Sequence, residues 1–158
     1  MTDALPYPDA DLRVHPPRSP HAQLAGLIFL PRTVDKVRAK LQGTLGAYRV
    51  SPGMSADLFE WLGITEEQFT LAVREAANDD EIAEWIRTHC NTTTFRDINA
   101  RLGERAIRDA AHFEAVLPRY PVLREHPELR NWLEILEVDD KWAFDPANGG
   151  SMLSQETP

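Results

Sequence analysis

Apolar residues recur at intervals of three and four along most of this chain, the spacing that lines one face of a helix. Leu24, Leu27 and Ile28 form the first such set, and Pro31 closes it. Ser19 and Pro20 suit an N-cap and a first helical position, so the pattern predicts a helix over about 20–30. A second helix is predicted from Pro31 or Thr33 to Leu41, with Val34, Val37 and Leu41 on one face. Ser55 suits the cap of a short helix that Gly63 stops, with Ile64 as the apolar residue after the stop. Thr65 and Gln68 spell a capping box for a helix to about Ala77, and Asn78 with Glu81 spells another, with Ile82, Trp85 and Ile86 inward. Thr94 opens what reads as one long helix, because Phe95, Ile98, Leu102, Ala106, Ala110, Phe113 and Leu117 keep the rhythm until Pro118. Pro127 starts the last, with Leu129, Trp132, Leu133 and Leu136 buried. No segment alternates convincingly with period two, and nothing repeats at a fixed interval. The fold class is all-α: a compact single domain of about six helices behind an extended lead-in.

Prolines 6, 8, 16 and 17 forbid a helix in that lead-in. Residues 1–10 are expected to be loose, 11–145 to form the domain and 146–158 to be a flexible tail. At 158 residues the chain is long enough to bury a core without disulfides or metal. Its one cysteine, Cys90, excludes an internal disulfide and shows no nucleophile signature. No apolar run is long enough to span a membrane, and no basic-then-apolar N-terminus marks a secretory signal. The expected location is a reducing cytoplasm, in a bacterium.

The net charge of −8 argues against general affinity for nucleic acid or anionic membranes. Charge is nevertheless unevenly spread. Residues 11–49 carry Arg13, Arg18, Arg32, Lys36, Arg38, Lys40 and Arg49 against only Asp11 and Asp35, a local +5 that leaves −13 for the rest. Four of these cations crowd the second helix, Arg32, Lys36 and Lys40 opposite its apolar face and Arg38 at the edge of it. One reading is an anion site: Arg32 and Lys36 stand near a helix start, Arg13 and Arg18 can fold over the same place, and arginine grips two oxygens of a carboxylate or phosphate at once. The other is that these side chains pair with acids of the C-terminal half, Glu134, Glu137, Asp139 and Asp140 among them. Asp35 and Arg38, three apart, can pair locally. A half-buried Lys36 beside arginine would titrate low and serve as a base; an exposed salt bridge is the plainer alternative.

Histidines 15, 21, 89, 112 and 126 show no zinc spacing, so no metal site is expected. Glu137, Asp139 and Asp140 could hold a divalent ion but read more simply as an acidic helix end. Phosphate-loop, dinucleotide and nucleophile-elbow motifs are absent, and no cofactor is implied.

The segments DLRVHPPRSP, LIFLPRTVDKVRAKLQGTLGAY, WLGIT and LEILEVDDKWAF resemble the bacterial domain-of-unknown-function family five thousand and sixty-nine. The likeness covers about residues 11–145 and rests on Asp11, Leu12, the run from Pro16 to Pro20, Leu30 to Arg32, Asp35, Lys36, Arg38, Ala39, Gly43, Gly46, Tyr48, Gly63, Ile64, 80–86 and 136–140. Where the family pattern has C-P-L-D, this chain has Pro52, Gly53, Met54 and Ser55. The resemblance supplies no activity. It implies that charged residues mark the family, which favours a site of Arg13, Arg18, Arg32, Asp35, Lys36, Arg38 and Tyr48 over packing alone.

The reading that follows is a small-molecule site for a carboxylate- or phosphate-bearing ligand. A cofactor-independent lyase, isomerase or hydrolase is preferred by a narrow margin. Lys36 or Asp35 would move a proton, Tyr48 would donate a hydrogen bond, and Arg13, Arg18, Arg32 and Arg38 would clamp the anion. Two alternatives stay open: a non-catalytic metabolite-binding or regulatory protein, and a homodimer or interaction module using the basic face. A catalytic Lys36 should be partly buried and titrate low; a binding Lys36 should stay charged.

Overall fold

The computed structural model describes residues 11–148. The expected loose N-terminus, 1–10, and most of the expected tail lie outside those residues; of the tail, Pro146–Asn148 forms one 3-10 turn. Among the described residues there are seven α-helices: α1 (Leu30–Gln42), α2 (Met54–Leu62), α3 (Glu66–Glu75), α4 (Asp79–His89), α5 (Phe95–Glu104), α6 (Ala110–Val116) and α7 (Trp132–Ala143). The chain is all-α but for one hairpin, β1 (Gln23–Leu24) with β2 (Leu27–Ile28). None of these helices is long and apolar enough to cross a membrane.

Elements with purely local signals form as the sequence predicts. Both bonds of the capping box are made: the Gln68 N–H donates to Thr65 Oγ1 (3.0 Å) and the Thr65 N–H to Gln68 Oε1 (2.9 Å). Replacing Thr65 with alanine is expected to cost about 1 kcal/mol, a fall in Tm of roughly 2–4 °C in a thermal melt. Asn78 likewise accepts from the Glu81 N–H (3.0 Å). Gly63 ends α2 at φ 73°, and the Ile64 N–H reaches back to the Phe59 carbonyl (3.0 Å).

Several expectations are corrected. The helix predicted over 20–30 is the hairpin instead. Its two-residue turn, Ala25 and Gly26, has positive φ at both positions (56° and 83°), the primed geometry that suits a tight hairpin. Leu24, Leu27 and Ile28 satisfy helix spacing, but a distant side chain decides: Asn99 on α5 accepts from the Ile28 N–H (3.0 Å) and donates to the Gly26 carbonyl (2.8 Å). Ser19, the expected cap, hydrogen-bonds Glu137.

The long helix predicted over 94–117 is two, α5 and α6, separated by residues 105–109. That break is paired rather than frayed. The Ile107 N–H donates to Arg130 (2.8 Å), the Trp132 N–H donates to Arg105 (2.9 Å), and Ala106 bridges Asn131. The Asn131 amide also takes up the Gly103 carbonyl at the end of α5 (2.8 Å) and accepts from the Leu133 and Glu134 N–H groups to cap α7. Asp109 caps α6 through the His112 N–H (2.8 Å). Thr94 ends a 3-10 turn that Asn91 caps, rather than capping α5 itself.

The last helix therefore starts at Trp132, not Pro127, and its predicted first part is a turn; Leu133 and Ile135 are its buried aliphatic residues, with Trp132 and Leu136 half-buried. Ser55 is not a cap either; it lies buried in α2, its hydroxyl 2.9 Å from that of Thr33.

The main core gathers Leu30, Val34 and Val37 of α1 with apolar residues of α2–α5 and the hairpin, Phe59, Phe69, Ile86 and Leu102 among them. A smaller cluster, Ile107, Leu123 and Ile135, lies under α6 and α7. α1 is buried on nearly every side: Arg32, Lys36 and Arg38 are all inside, and only Lys40 of its cations is exposed, paired with Glu66 at 2.8 Å. The lead-in lies on the domain from Asp11, with Leu12 fully buried and its N–H bonded to Thr44 (2.9 Å).

Candidate functional site

The seven residues singled out from sequence go to three places. Arg13 is exposed and bonds Asp11 two residues away (2.9 Å). Arg18 folds back on α1, where its guanidinium and backbone N–H grip Asp35 (2.8–3.2 Å) and its other amino group reaches Asp79 on α4 (2.6 Å). Arg38 reaches the same Asp79 (2.8 Å). Asp35 thus holds Arg18 and Asp79 holds both arginines, a network that fastens the lead-in to α1 and α4.

Arg32, Lys36 and Tyr48 meet elsewhere. Arg32 is 2% exposed and lays its fork on Asp140 of α7 (2.7 and 3.2 Å), while the Tyr48 hydroxyl donates to the same carboxylate (2.7 Å). Burial works against the Arg32 charge; Asp140 overcomes it and raises the pKa. Burial, then the Asp140 charge, holds the Tyr48 phenol far above its ordinary range, so it remains a donor. The alternative of pairing with the acidic C-terminal half is thus realised at Arg32.

These residues form one wall of a cavity of about 970 Å³. Arg32 and Lys36 come from α1; Tyr48, Arg49, Pro52, Gly53 and Met54 from the loop into α2; Arg105 and Arg108 from the helix break; His112 from α6; Arg119 and Tyr120 beyond it; Trp132, Leu136 and Asp139 from α7. The positions where the family pattern differs, Pro52 to Met54, are part of this wall. Six cationic side chains and one carboxylate line it. Arg32 and Arg105 are matched by Asp140 and Asp57 (2.7 and 2.6 Å). Lys36, Arg108 and Arg119 form no ion pair among the described residues. Burial, then the charge of Arg119, lowers the pKa of Arg49, so two arginines repel each other here. His112 Nδ1 accepts from the Arg108 backbone N–H (3.1 Å), which leaves the proton of the neutral ring on Nε2.

Lys36 is 8% exposed, its ammonium 5.5 Å from the centroid of Phe29. Burial, then the charge of Arg32, brings its pKa down to about 7, with Arg49 adding to the effect and Asp140 opposing it. Asp139, 2% exposed, is the counterpart: burial and then the Asp140 charge push it up to about 7, against Arg32 and Arg119. Its Oδ1 has no hydrogen-bond partner. An amine and a carboxyl group whose pKa values burial moves towards neutrality from opposite sides thus line one cavity.

Arg49, Arg119 and Asp139 were not read as site residues from the sequence. No spacing rule connects 49 with 119. Asp139, however, sits on the 132–136–139–143 row of α7, a stripe facing inward, so a carboxylate there is a signal the sequence does contain. Among the described residues no three His, Cys, Asp or Glu side chains are placed to hold a metal ion. Glu137 binds Ser19 and His21, apart from Asp139 and Asp140.

No curated protein matches the chain. A family model described as "Domain of unknown function (DUF5069)" matches residues 14–142, a span that holds every lining residue of the cavity, and the chain belongs to that family.

Proposed function

We propose that the cavity binds a small carboxylate- or phosphate-bearing molecule and that Lys36 exchanges a proton with it, as in a cofactor-independent lyase, isomerase or hydrolase. The observation that carries this reading is the setting of Lys36. It is buried, forms no ion pair among the described residues, and lines a cavity whose rim carries Arg108 and Arg119, which form none either. Cations held apart from counter-charges at a concave surface attract an anion. An anion settling near Lys36 also supplies the charge that would let it keep its proton. Asp35 does not enter the cavity, so the proton-transfer role rests on Lys36, and the anion-clamp role moves from Arg13, Arg18 and Arg38 to the rim arginines.

Two other readings have less support. A non-catalytic binder calls for a lysine that stays charged, and burial brings Lys36 to about 7. An interaction module calls for a basic face on the surface, yet Arg32, Lys36 and Arg38 are inside.

The test is a thermal-shift screen of wild type, Lys36→Ala and Arg119→Ala against small carboxylates, phosphates and divalent metals. An anion at a hundred times its dissociation constant should stabilise wild type by about 2.7 kcal/mol. Arg119→Ala should weaken that anion about 10- to 100-fold, the worth of a charge-assisted hydrogen bond, while its ligand-free stability stays within about 0.5 kcal/mol. If millimolar anions leave wild type unshifted, the reading is wrong. If Arg119→Ala binds as wild type does, the clamp is elsewhere.

A further inference from the structure

An anion site has little use for a carboxylate on its floor, yet Asp139 is there. It is almost fully buried, it lines the cavity, and its Oδ1 has no hydrogen-bond partner. Its neighbour Asp140 is fully engaged, holding both Arg32 amino groups and the Tyr48 hydroxyl. Arg119 acts on Asp139 only through space, with no hydrogen bond between them. A buried acceptor without a partner is costly, and an apolar side chain at 139 would remove that cost. The cost is offset if something entering the cavity brings the missing donor. Space allows it: about 970 Å³ far exceeds a bare carboxylate or phosphate group. The cations that meet no carboxylate include Arg108 and Arg119, which are more exposed than Asp139, so the lining offers cations and an unpartnered acceptor at different depths.

We infer that the ligand is a bifunctional small acid: its carboxylate or phosphate meets the rim arginines, and a hydroxyl or ammonium group at its other end donates to Asp139 Oδ1. This rests on the anion-site reading and narrows its ligand class to hydroxy acids, amino acids and phosphate esters of polyols. Simple alkyl acids lack the second group and leave Oδ1 unpartnered.

The experiment is titration calorimetry with matched probes on wild type, Asp139→Leu and Asp139→Asn. The probes are butyrate against 4-hydroxybutyrate and 4-aminobutyrate, and propyl phosphate against glycerol 3-phosphate. Wild type should bind at least one donor-bearing member about tenfold or more tightly than its plain partner. Asp139→Leu should bring that preference below about twofold and bind the plain anion no more weakly than wild type. Asp139→Asn keeps an acceptor without the charge, so a hydroxyl preference should survive and an ammonium preference should fall. Equal binding of matched members by wild type overturns the inference and leaves the anion site standing. A preference that persists undiminished in Asp139→Leu also overturns it. If Asp139→Leu does not fold, an ammonium preference untouched by Asp139→Asn, or no preference in wild type, overturns it. If no probe binds wild type, the anion reading fails and takes this inference with it.

Discussion

Replacing Asp140 with alanine is expected to destabilise the protein by about 3–5 kcal/mol, a drop in Tm of roughly 10 °C or more. The loss comes from what is left behind. Arg32 is 2% exposed, and without Asp140 its two amino groups lose their main acceptor while its Nε already has none. The Tyr48 hydroxyl loses its acceptor in the same stroke. The contrast that isolates the cause is the double variant Arg32→Met with Asp140→Leu. Removing both charges removes the stranded one, so the double variant should lie within about 2 kcal/mol of wild type. Urea unfolding of the three proteins measures this. An Asp140→Ala variant within about 1 kcal/mol of wild type would mean that the guanidinium finds water or another partner in the cavity.

The second large effect runs the other way. Lys36→Met is expected to stabilise the ligand-free protein by about 3 kcal/mol at neutral pH while abolishing anion binding. Lys36 titrates at about 7 in the folded protein against 10.5 for a free lysine. Between those values the unfolded chain holds a proton that the folded chain lacks. The stability Lys36 contributes is therefore greatest above 10.5 and declines as pH falls towards 7, below which it changes no further. At about 1.4 kcal/mol per pH unit, that interval is worth on the order of 5 kcal/mol, part of which the variant gives back by losing the contact with Phe29. Asp139 has the opposite slope. Its pKa rises from 3.8 to about 7, so its contribution is complete below 3.8 and lost as pH rises to 7. The two slopes meet near neutrality and produce a trough in stability there, where globular proteins ordinarily have their maximum. Denaturant unfolding from pH 4 to 10 should show the trough in wild type and its alkaline arm flattened in Lys36→Met. A monotonic profile in wild type would contradict the paired titrations.

How much of this is legible in the sequence depends on how local the cause is. The capping box at Thr65 and the stop at Gly63 are made by residues within five positions of each other, and both form as predicted. The hairpin was not legible because Leu24, Leu27 and Ile28 fit a helix equally well, and the arbiter, Asn99, lies more than seventy residues away. The broken helix has the same origin. Its apolar rhythm runs unbroken through 105–109, and the groups that pair with that break, Arg130, Asn131 and Trp132, belong to a later part of the chain. Within the site, Lys36 and Tyr48 were legible as polar groups in a segment otherwise committed to packing. Arg13, Arg18 and Arg38 share that segment but turn to carboxylates outside the cavity, Asp35 among them. Arg49 and Arg119 line one cavity although seventy residues part them, so no local pattern announces their convergence.

The cavity has an interlocked floor and a loosely held rim, and the two differ in how they can change over evolutionary time. Arg32 and Asp140 depend on one another, so exchanging either strands a buried charge and threatens the fold itself, whereas losing Tyr48 costs Asp140 one of its donors. Arg108 and Arg119 lie between helices, where replacement costs little stability. On the proposed anion-binding reading, new ligand preferences can therefore arise at the rim by single substitutions, while Arg32 and Asp140 stay fixed. A change of specificity at the rim would leave the Arg32–Asp140 pair, and with it the fold, untouched.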